Sequence, residues 1–328
     1  MVLSERRRHE HGQTSHTAEI YAGGGPRSHM SHRPEVGAGV ADIDLSNRTA
    51  LVTGATSGVG RETALALGRL GATVFVHGRD RDAGRSVAAA IDDGGGESVF
   101  FRADFAEVDT VRNLADEARD RTDRLDVLVN NAGAHFSEGQ LTPDGVEKTF
   151  AVNHLAPFVL THDLRDLLPD DGRVVTVSSE VHRRADGTFD VTTLDDYDGL
   201  DAYARSKLAN ALFTVGLARR LDGPTANCCH PGFVPSSSLW RNASIHVRLG
   251  VGLLARLPYR LVSGFVDTPA TAAETLVYLA TSPDAADVSG RYFSDCEPIE
   301  PSAAATDEQL VRDVWELSEE LSGVSWPS

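Results

Sequence analysis

Along residues 49–229 two apolar patterns alternate, and that alternation constrains the fold more than any other feature of the chain. Short runs rich in Val, Phe, Leu and Thr stand at 49–53, 73–77, 98–101, 125–130, 173–178 and 225–229. Their near-continuous apolar character is that of strands buried on both faces. Between them, stretches such as 60–70, 108–121 and 202–221 carry apolar residues at helical spacing. Strand and helix in regular succession specify a parallel sheet covered on both sides, the doubly wound α/β fold of Rossmann type, as a single domain. Residues 290–293 are expected to add a last edge strand, and 306–321 a terminal helix with Thr306 as its N-cap. The chain shows no internal repeat.

The first strand runs directly into Thr53-Gly54-Ala55-Thr56-Ser57-Gly58-Val59-Gly60 and then into a helix. Gly54 permits the tight turn, Gly58 and Gly60 allow close backbone approach, and the helix N-terminus offers unpaired N–H groups to a pyrophosphate. Such a loop between a strand and a helix at the start of a βα series is a dinucleotide-binding signal. The second strand ends in His77-Gly78-Arg79-Asp80, where an NAD site would hold a carboxylate for the ribose 2′-hydroxyl. Gly78 occupies that position, and Arg79 beside it can pair with a 2′-phosphate, so NADP is preferred to NAD. Asp80 reads as the cap of the following helix. Asp104, after the third strand, is either an adenine contact or an ordinary strand-end Asp.

Tyr203 and Lys207 lie four residues apart in a predicted helix, and Lys207 is one of only two lysines in the chain. The spacing puts both on one helix face, where an ammonium would lower the phenol pKa and make the tyrosine usable as an acid or base.

Taken together, these motifs resemble the short-chain dehydrogenase/reductase family. The family's cofactor loop stands as Thr53 to Gly60, its strand-four signature as Asn130-Asn131-Ala132-Gly133, and its catalytic pair as Tyr203 with Lys207. Its serine corresponds to Ser179, its helix asparagine to Asn153, and its Pro-Gly turn to Pro231-Gly232. The long 180–202 interval, the run Ser206 to Asn210 and Tyr292 to Asp295 are similar to the retinol-dehydrogenase-like branch. The resemblance spans about residues 45–300.

It implies hydride transfer between nicotinamide and a carbonyl or carbinol carbon. Tyr203 would handle the proton, Ser179 would hold the substrate oxygen, Lys207 would lower the Tyr203 pKa and grip the ribose, and Asn153 would position a water behind Lys207. It also implies cofactor contacts from Gly54, Ser57, Gly58, Val59, Gly60, Arg79, Asp104, Asn131, Ala132, Gly133, Tyr203, Lys207, Pro231 and Gly232. The branch usually carries a threonine after the Pro-Gly turn; here Ser236 is the substitute. A substrate lid is implied at about 234–266, where Leu239, Trp240, Leu253, Leu254 and Tyr259 suit a lipophilic alcohol, aldehyde or ketone.

Composition narrows the partners. A net charge of −17, from 48 acidic against 31 basic residues spread along the chain, disfavours nucleic acid. Dispersed carboxylates with almost no lysine are those of a protein adapted to a salty cytoplasm. Cys228, Cys229 and Cys296 make neither a disulfide framework nor a spaced metal site, and a reduced cytosol is expected. Arg6, Arg7 and Arg8 are followed by no apolar export segment. In 244–266, Arg248, Arg256 and Arg260 interrupt the apolar run, which argues against a membrane span but leaves an amphipathic lid or a surface-binding helix open. The expected assembly is a homodimer or homotetramer.

Residues 1–44 carry His9, His11, His16, His29 and His32 among Gly, Ser and Pro, and are expected to be a disordered extension rather than a metal-binding tail. No metal is expected elsewhere: Asp195, Asp196, Asp198 and Asp201 lack the glycine and terminal glutamate of a calcium loop. His135 either faces substrate or sits on a surface loop, His154 is expected to be structural, and Cys228 and Cys229 to be inert buried thiols. Two other function classes fit a glycine loop. A non-catalytic NADP-binding sensor or scaffold is opposed by the complete Asn153, Ser179, Tyr203 and Lys207 set. A sugar-nucleotide epimerase is opposed by the glycine spacing.

Overall fold

The computed structural model describes residues 32–235 and 267–326. Eight strands form one sheet: β1 (Thr49–Val52), β2 (Thr73–His77), β3 (Glu97–Phe101), β4 (Val127–Asn130), β5 (Arg173–Val177), β6 (Thr225–Cys229), β7 (Tyr292–Ser294) and β8 (Glu297–Ile299). Their order is β3-β2-β1-β4-β5-β6-β7-β8. The first seven pair in parallel and only β8 runs against its neighbour. Chain order reverses between β1 and β4, so the crevice of this sheet opens there, at the C-terminal strand ends.

Residues next to each other on a strand serve opposite faces, and both faces are covered. Val52, Val74, Val76 and Val129 join a cluster with α2 (Gly58–Arg69), α3 (Arg81–Asp93) and α8 (Pro269–Thr281). Leu51, Phe75, Leu128 and Val174 join another with α4 (Val108–Arg119), α6 (Ala156–Leu164), α7 (Gly199–Ala218) and α9 (Glu308–Ser322). This is why the strands lack polar alternation. Fully buried side chains such as Leu51, Leu128 and Phe158 each contribute roughly 1.5–3 kcal/mol by leaving water.

Two short helical pieces complete the chain order so far described, α1 (Pro34–Gly37) and α5 (Lys148–Phe150). Asp80 caps α3 as expected, accepting from the backbone N–H groups of Asp82 and Ala83. The terminal helix starts later than expected. Its cap is Asp307, which accepts from Gln309 and Leu310, while the Thr306 hydroxyl donates back to the Ala303 carbonyl in a preceding 3-10 turn. The expected edge strand is not the edge. β7 turns through Asp295 and Cys296, both with positive φ (51° and 63°), into the antiparallel β8. Pro298 hides that strand from sequence patterning, although an edge position tolerates its missing N–H.

The expected boundary at residue 44 is also corrected. Residues 33–45 pack on the domain: Val40 and Leu45 enter the core, and α1 lies against α8. Glu35, only 1% exposed, accepts two bonds of 2.7 Å from Arg69 and one of 2.7 Å from Arg33. Burial alone would raise its pKa, but the Arg69 and Arg33 hydrogen bonds prevail and hold it below the usual carboxylate range. The segment lacks apolar periodicity because one ion pair and a few apolar contacts do the anchoring. No helix among the described residues is long and apolar enough to cross a membrane.

Replacing Glu35 by Ala should destabilise the domain by about 2 kcal/mol, since it removes the acceptor of three charged hydrogen bonds while the partly exposed guanidinium groups can rehydrate. Denaturant unfolding of the variant with an unchanged midpoint would show that this segment does not anchor the fold.

Candidate active site

The C-terminal ends of the strands surround a cavity of about 310 Å³. Its wall carries nearly every residue singled out in the sequence: Gly54, Ser57, Val59, Arg79, Asp104, Asn131, Ala132, Gly133, Ser179, Tyr203, Lys207, Pro231 and Gly232. Gly58, Gly60 and Asn153 are not part of that wall. Ser236 and the implied lid, apart from Val234 and Pro235, lie outside the described residues.

The glycine loop is held by β4. The Thr53 hydroxyl donates to the Val129 carbonyl at 3.2 Å and accepts from the N–H groups of Asn131 and Ala132, each at 3.0 Å. The Asn131 amide returns the tie, donating to the carbonyls of Thr53 (2.7 Å) and Gly54 (3.3 Å). Asn131 therefore shapes the loop with its side chain as well as lining the cavity. Gly54 and Gly58 adopt φ of 66° and 60°, which L side chains rarely enter. At Gly60 space decides instead, because a Cβ would come 2.3 Å from the Asn131 amide and 2.6 Å from the Gly54 carbonyl oxygen.

His77, known from the sequence only as the end of the second strand, closes the same loop from the other side. Its Nε2 lies 3.2 Å from the Ala103 carbonyl, its Nδ1 accepts from Gly54 N–H at 3.4 Å, and its ring stacks on Phe105. Burial pushes it down to about 4, so the ring is neutral and can accept. At the neighbouring Gly78 a Cβ would meet the Thr56 methyl at 2.3 Å, which leaves this position without a carboxylate. Arg79 and Asp104, both about half exposed, face each other across the cavity rim at 3.8 Å. Asp104 also accepts from Ala106 N–H, so it shapes the turn and lines the cavity at once.

At the other end Tyr203 and Lys207 project from one face of α7, with the Lys207 Nζ 5.7 Å from the phenol ring centroid. Tyr203 and Ser179 line the same cavity wall. Lys207 donates to the Val177 carbonyl at 2.9 Å. The expectation that Lys207 lowers the Tyr203 pKa does not hold in the unliganded site. Burial pushes Tyr203 up to about 12, only partly offset by the Ser179 hydroxyl. Burial also pushes Lys207 down to about 8. Both shifts have the same cause: a site stripped of water disfavours phenolate and ammonium alike.

Asn153 sits in a π-helical turn, Ala151–Leu155, and is fully buried. Its Oδ1 accepts from Ala134 N–H at 2.7 Å, and its Nδ2 donates to the Ala134 carbonyl and the Ser206 hydroxyl. The amide N–H groups thus brace the strand-four loop against α7. Extra insertion of a residue into the helix, which no apolar pattern signals, aims it there.

Of the residues left open, His135 is buried with its ring edge toward Tyr203 at 6.0 Å between centroids. His154 is structural, set between Asn210 and Ser318. Cys228 and Cys229 are buried in β6, and burial raises both thiols. Asp198 caps α7 by accepting from Leu200 and Asp201. Asp267, missed in the sequence, bounds the Pro-Gly turn: its carboxylate accepts from Phe233 N–H, and a Cβ at Gly232 would collide with it at 1.9 Å.

The short chain dehydrogenase family profile matches residues 48–245. The chain belongs to the short-chain dehydrogenase family. Within its retinol-dehydrogenase-like branch, retinol dehydrogenase 14 of Mus musculus is 40% identical over 298 residues, covering 85% of this chain and 87% of that protein. Among solved structures, landomycin C-6 ketoreductase LanV with bound NADP and rabelomycin is 30% identical, with a TM-score of 0.59, covering 77% of this chain and 96% of its own. A short chain dehydrogenase from Burkholderia cenocepacia J2315 in complex with NADP is 26% identical with a TM-score of 0.61, covering 80% and 99%. As a short-chain dehydrogenase, this protein is an oxidoreductase acting on CH–OH or C=O groups of small molecules with a nicotinamide dinucleotide.

Proposed function

We propose that this short-chain dehydrogenase uses NADP to interconvert a lipophilic carbonyl compound and its alcohol, with Tyr203 as the proton donor and acceptor. The observation that carries this reading is the convergence of Ser179, Tyr203 and Lys207 on one end of a cavity whose other end presents Arg79 and no carboxylate at Gly78. Gly54, Ser57 and Val59 at the start of α2 would hold the pyrophosphate, Arg79 the 2′-phosphate, and Gly133 and Lys207 the nicotinamide ribose. The positive φ of Gly54 and Gly58 and the tight packing of Gly60 on Asn131 shape the loop that would receive such a ligand. Bound nicotinamide supplies or accepts the hydride.

In the reductive direction a phenol held at about 12 is an acid that stays protonated until the substrate oxygen gains charge. Ser179, on the same cavity wall as that phenol, donates to the same oxygen. Lys207 stabilises the phenolate left behind, and because burial costs its charge, it gains most when an anion forms beside it. Oxidation asks Tyr203 to lose its proton first, a step that burial opposes and the ammonium assists. Near Tyr203 the wall is apolar, with Val152, Val177, Val181, Phe233 and Val234, which suits a bulky lipophilic substrate. The NADP carried by the two solved relatives supports the same cofactor, and the ketoreductase activity in the name of LanV supports a carbonyl substrate.

Activity is best sought with a panel of lipophilic aldehydes, ketones and alcohols, followed by nicotinamide absorbance at low and high salt. Tyr203→Phe should lower turnover by on the order of 10²–10⁴-fold while leaving NADPH affinity unchanged, as expected for loss of a general acid. Unchanged turnover would reject the proton relay.

Cofactor choice is tested separately. Arg79→Ala should weaken NADPH binding about tenfold or more and NADH binding little, through loss of a charge-assisted contact. Equal losses would remove the case for NADP.

Lys207 carries its charge below about pH 8 and loses it above. The reductive kcat/KM should therefore hold on the neutral side and fall as pH rises through that value. A profile flat across the alkaline range would contradict the role given to the ammonium.

A further inference from the structure

Directly after Ser179 the chain makes a 3-10 turn, Glu180–Arg184, and the fully buried side chain in it is His182. The imidazole Nδ1 is 2.7 Å from the Ser179 carbonyl oxygen, and Nε2 is 3.0 Å from the backbone nitrogen of Ser302, beyond β8. A carbonyl can only accept and a backbone N–H can only donate. These two bonds therefore specify one neutral tautomer, with the proton on Nδ1 and the lone pair on Nε2.

The surroundings agree with that assignment. The Tyr292 hydroxyl lies 3.3 Å from the same Nδ1, so a proton there has two acceptors within reach, this hydroxyl and the Ser179 carbonyl. The Ser178 hydroxyl nearby donates to the Lys207 carbonyl at 2.7 Å. The charged or titratable groups facing His182 are Tyr292, Arg183, Glu180 and His230. Glu180 is itself bound to Arg183 and lies 3.6 Å from His230. Burial is the main reason that His182 stays below the ordinary imidazole range, which favours the neutral ring.

Ser179 needs an anchor of this kind. It is the N-cap of the turn, extended at φ −161° and ψ 150°, with its hydroxyl accepting from Val181 N–H at 3.3 Å on the cavity wall that Tyr203 also lines. Rotation of its peptide would carry the hydroxyl away from Tyr203. Only His182 ties that peptide's carbonyl to the C-terminal hairpin among the hydrogen bonds described, and Arg183 adds a parallel tie to the Glu300 carbonyl at 2.6 Å.

We propose that His182 is a positioning residue, whose neutral imidazole clamps the Ser179 peptide to the Ser302 backbone and so holds the Ser179 hydroxyl in place against Tyr203 and the substrate oxygen. The proposal rests on reading Ser179 as the group that holds that oxygen.

The test compares His182→Ala, His182→Asn and His182→Gln in the full chain, with kcat, KM, NADPH affinity by fluorescence and thermal midpoint measured for each. Asn places an amide N–H where Nδ1 stands and should restore the Ser179 bond; Gln reaches toward Ser302 and should not. Ala and Gln should lower kcat about tenfold, the worth of one hydrogen bond of about 1.4 kcal/mol, with KM and NADPH affinity within about twofold, and Asn should recover most of the loss. Equal kcat in Asn and Gln, or a kcat that only follows the thermal midpoint, would overturn the clamp. Independently of turnover, nitrogen NMR of the wild-type imidazole, assigned by its disappearance in the Asn variant, should show a protonated Nδ1 and a bare Nε2. The opposite tautomer or a doubly protonated ring at neutral pH would overturn the proposal. Failure of the wild-type protein to turn over any carbonyl compound, with this tautomer present, would instead count against the reaction proposed above.

Discussion

The architecture of the site depends on one hydroxyl at the point where the sheet changes direction. Thr53 ends β1 and its side chain both donates to β4 and accepts two N–H groups from the chain leaving it. β1 and β4 are neighbours in the sheet but are separated by two complete strand-helix units in sequence. Their departing chains would otherwise splay, each with unpaired backbone groups at the crevice mouth. With the Asn131 amide returning the bond to Thr53 and Gly54, the glycine loop becomes a rigid lip to which α2 is attached. The same device recurs at lower cost on the far side, where neutral His77 joins that loop to the end of β3.

Dehydration is the second organising condition. Lys207 and Tyr203 are both almost without water, and in the unliganded state each is pushed toward its neutral form. The pair is therefore not a preformed ammonium–phenolate couple. In the reaction proposed above, an anion and a cation would become favourable together there as the proton leaves the phenol. Precision in such a site comes from second-tier contacts: Asn153 on Ala134 and Ser206, Ser178 on the Lys207 carbonyl, and His182 on the Ser179 carbonyl. None of these side chains has to change its protonation for the others to hold their geometry.

Much of this was legible beforehand because it rests on local chemistry. Buried parallel strands must be apolar on both faces, so the six runs between residues 49 and 229 stood out, and their helices with them. Gly54 and Gly58 could be read because positive φ excludes most other residues, and Tyr203 with Lys207 because helical spacing joins them. What escaped has no local signature. β8 carries a proline and is three residues long. The 33–45 segment is held by Glu35 meeting Arg69 across 34 positions, and Asp307 replaces Thr306 as cap although both residue types are good caps. The direction of the Tyr203 shift was misread because spacing shows a neighbouring charge but not the loss of solvent around it.

By itself, the sequence determined the parallel strand-and-helix core, the cofactor loop and the candidate reacting side chains, since each follows from patterns within a few residues. Only the tertiary structure decided how those side chains are tuned. Burial depth, the π-helical turn that aims Asn153, and the imidazoles of His77 and His182 all arise where segments remote in sequence meet. Hydrogen-bond partners and desolvation are properties of that meeting, and no single segment contains them.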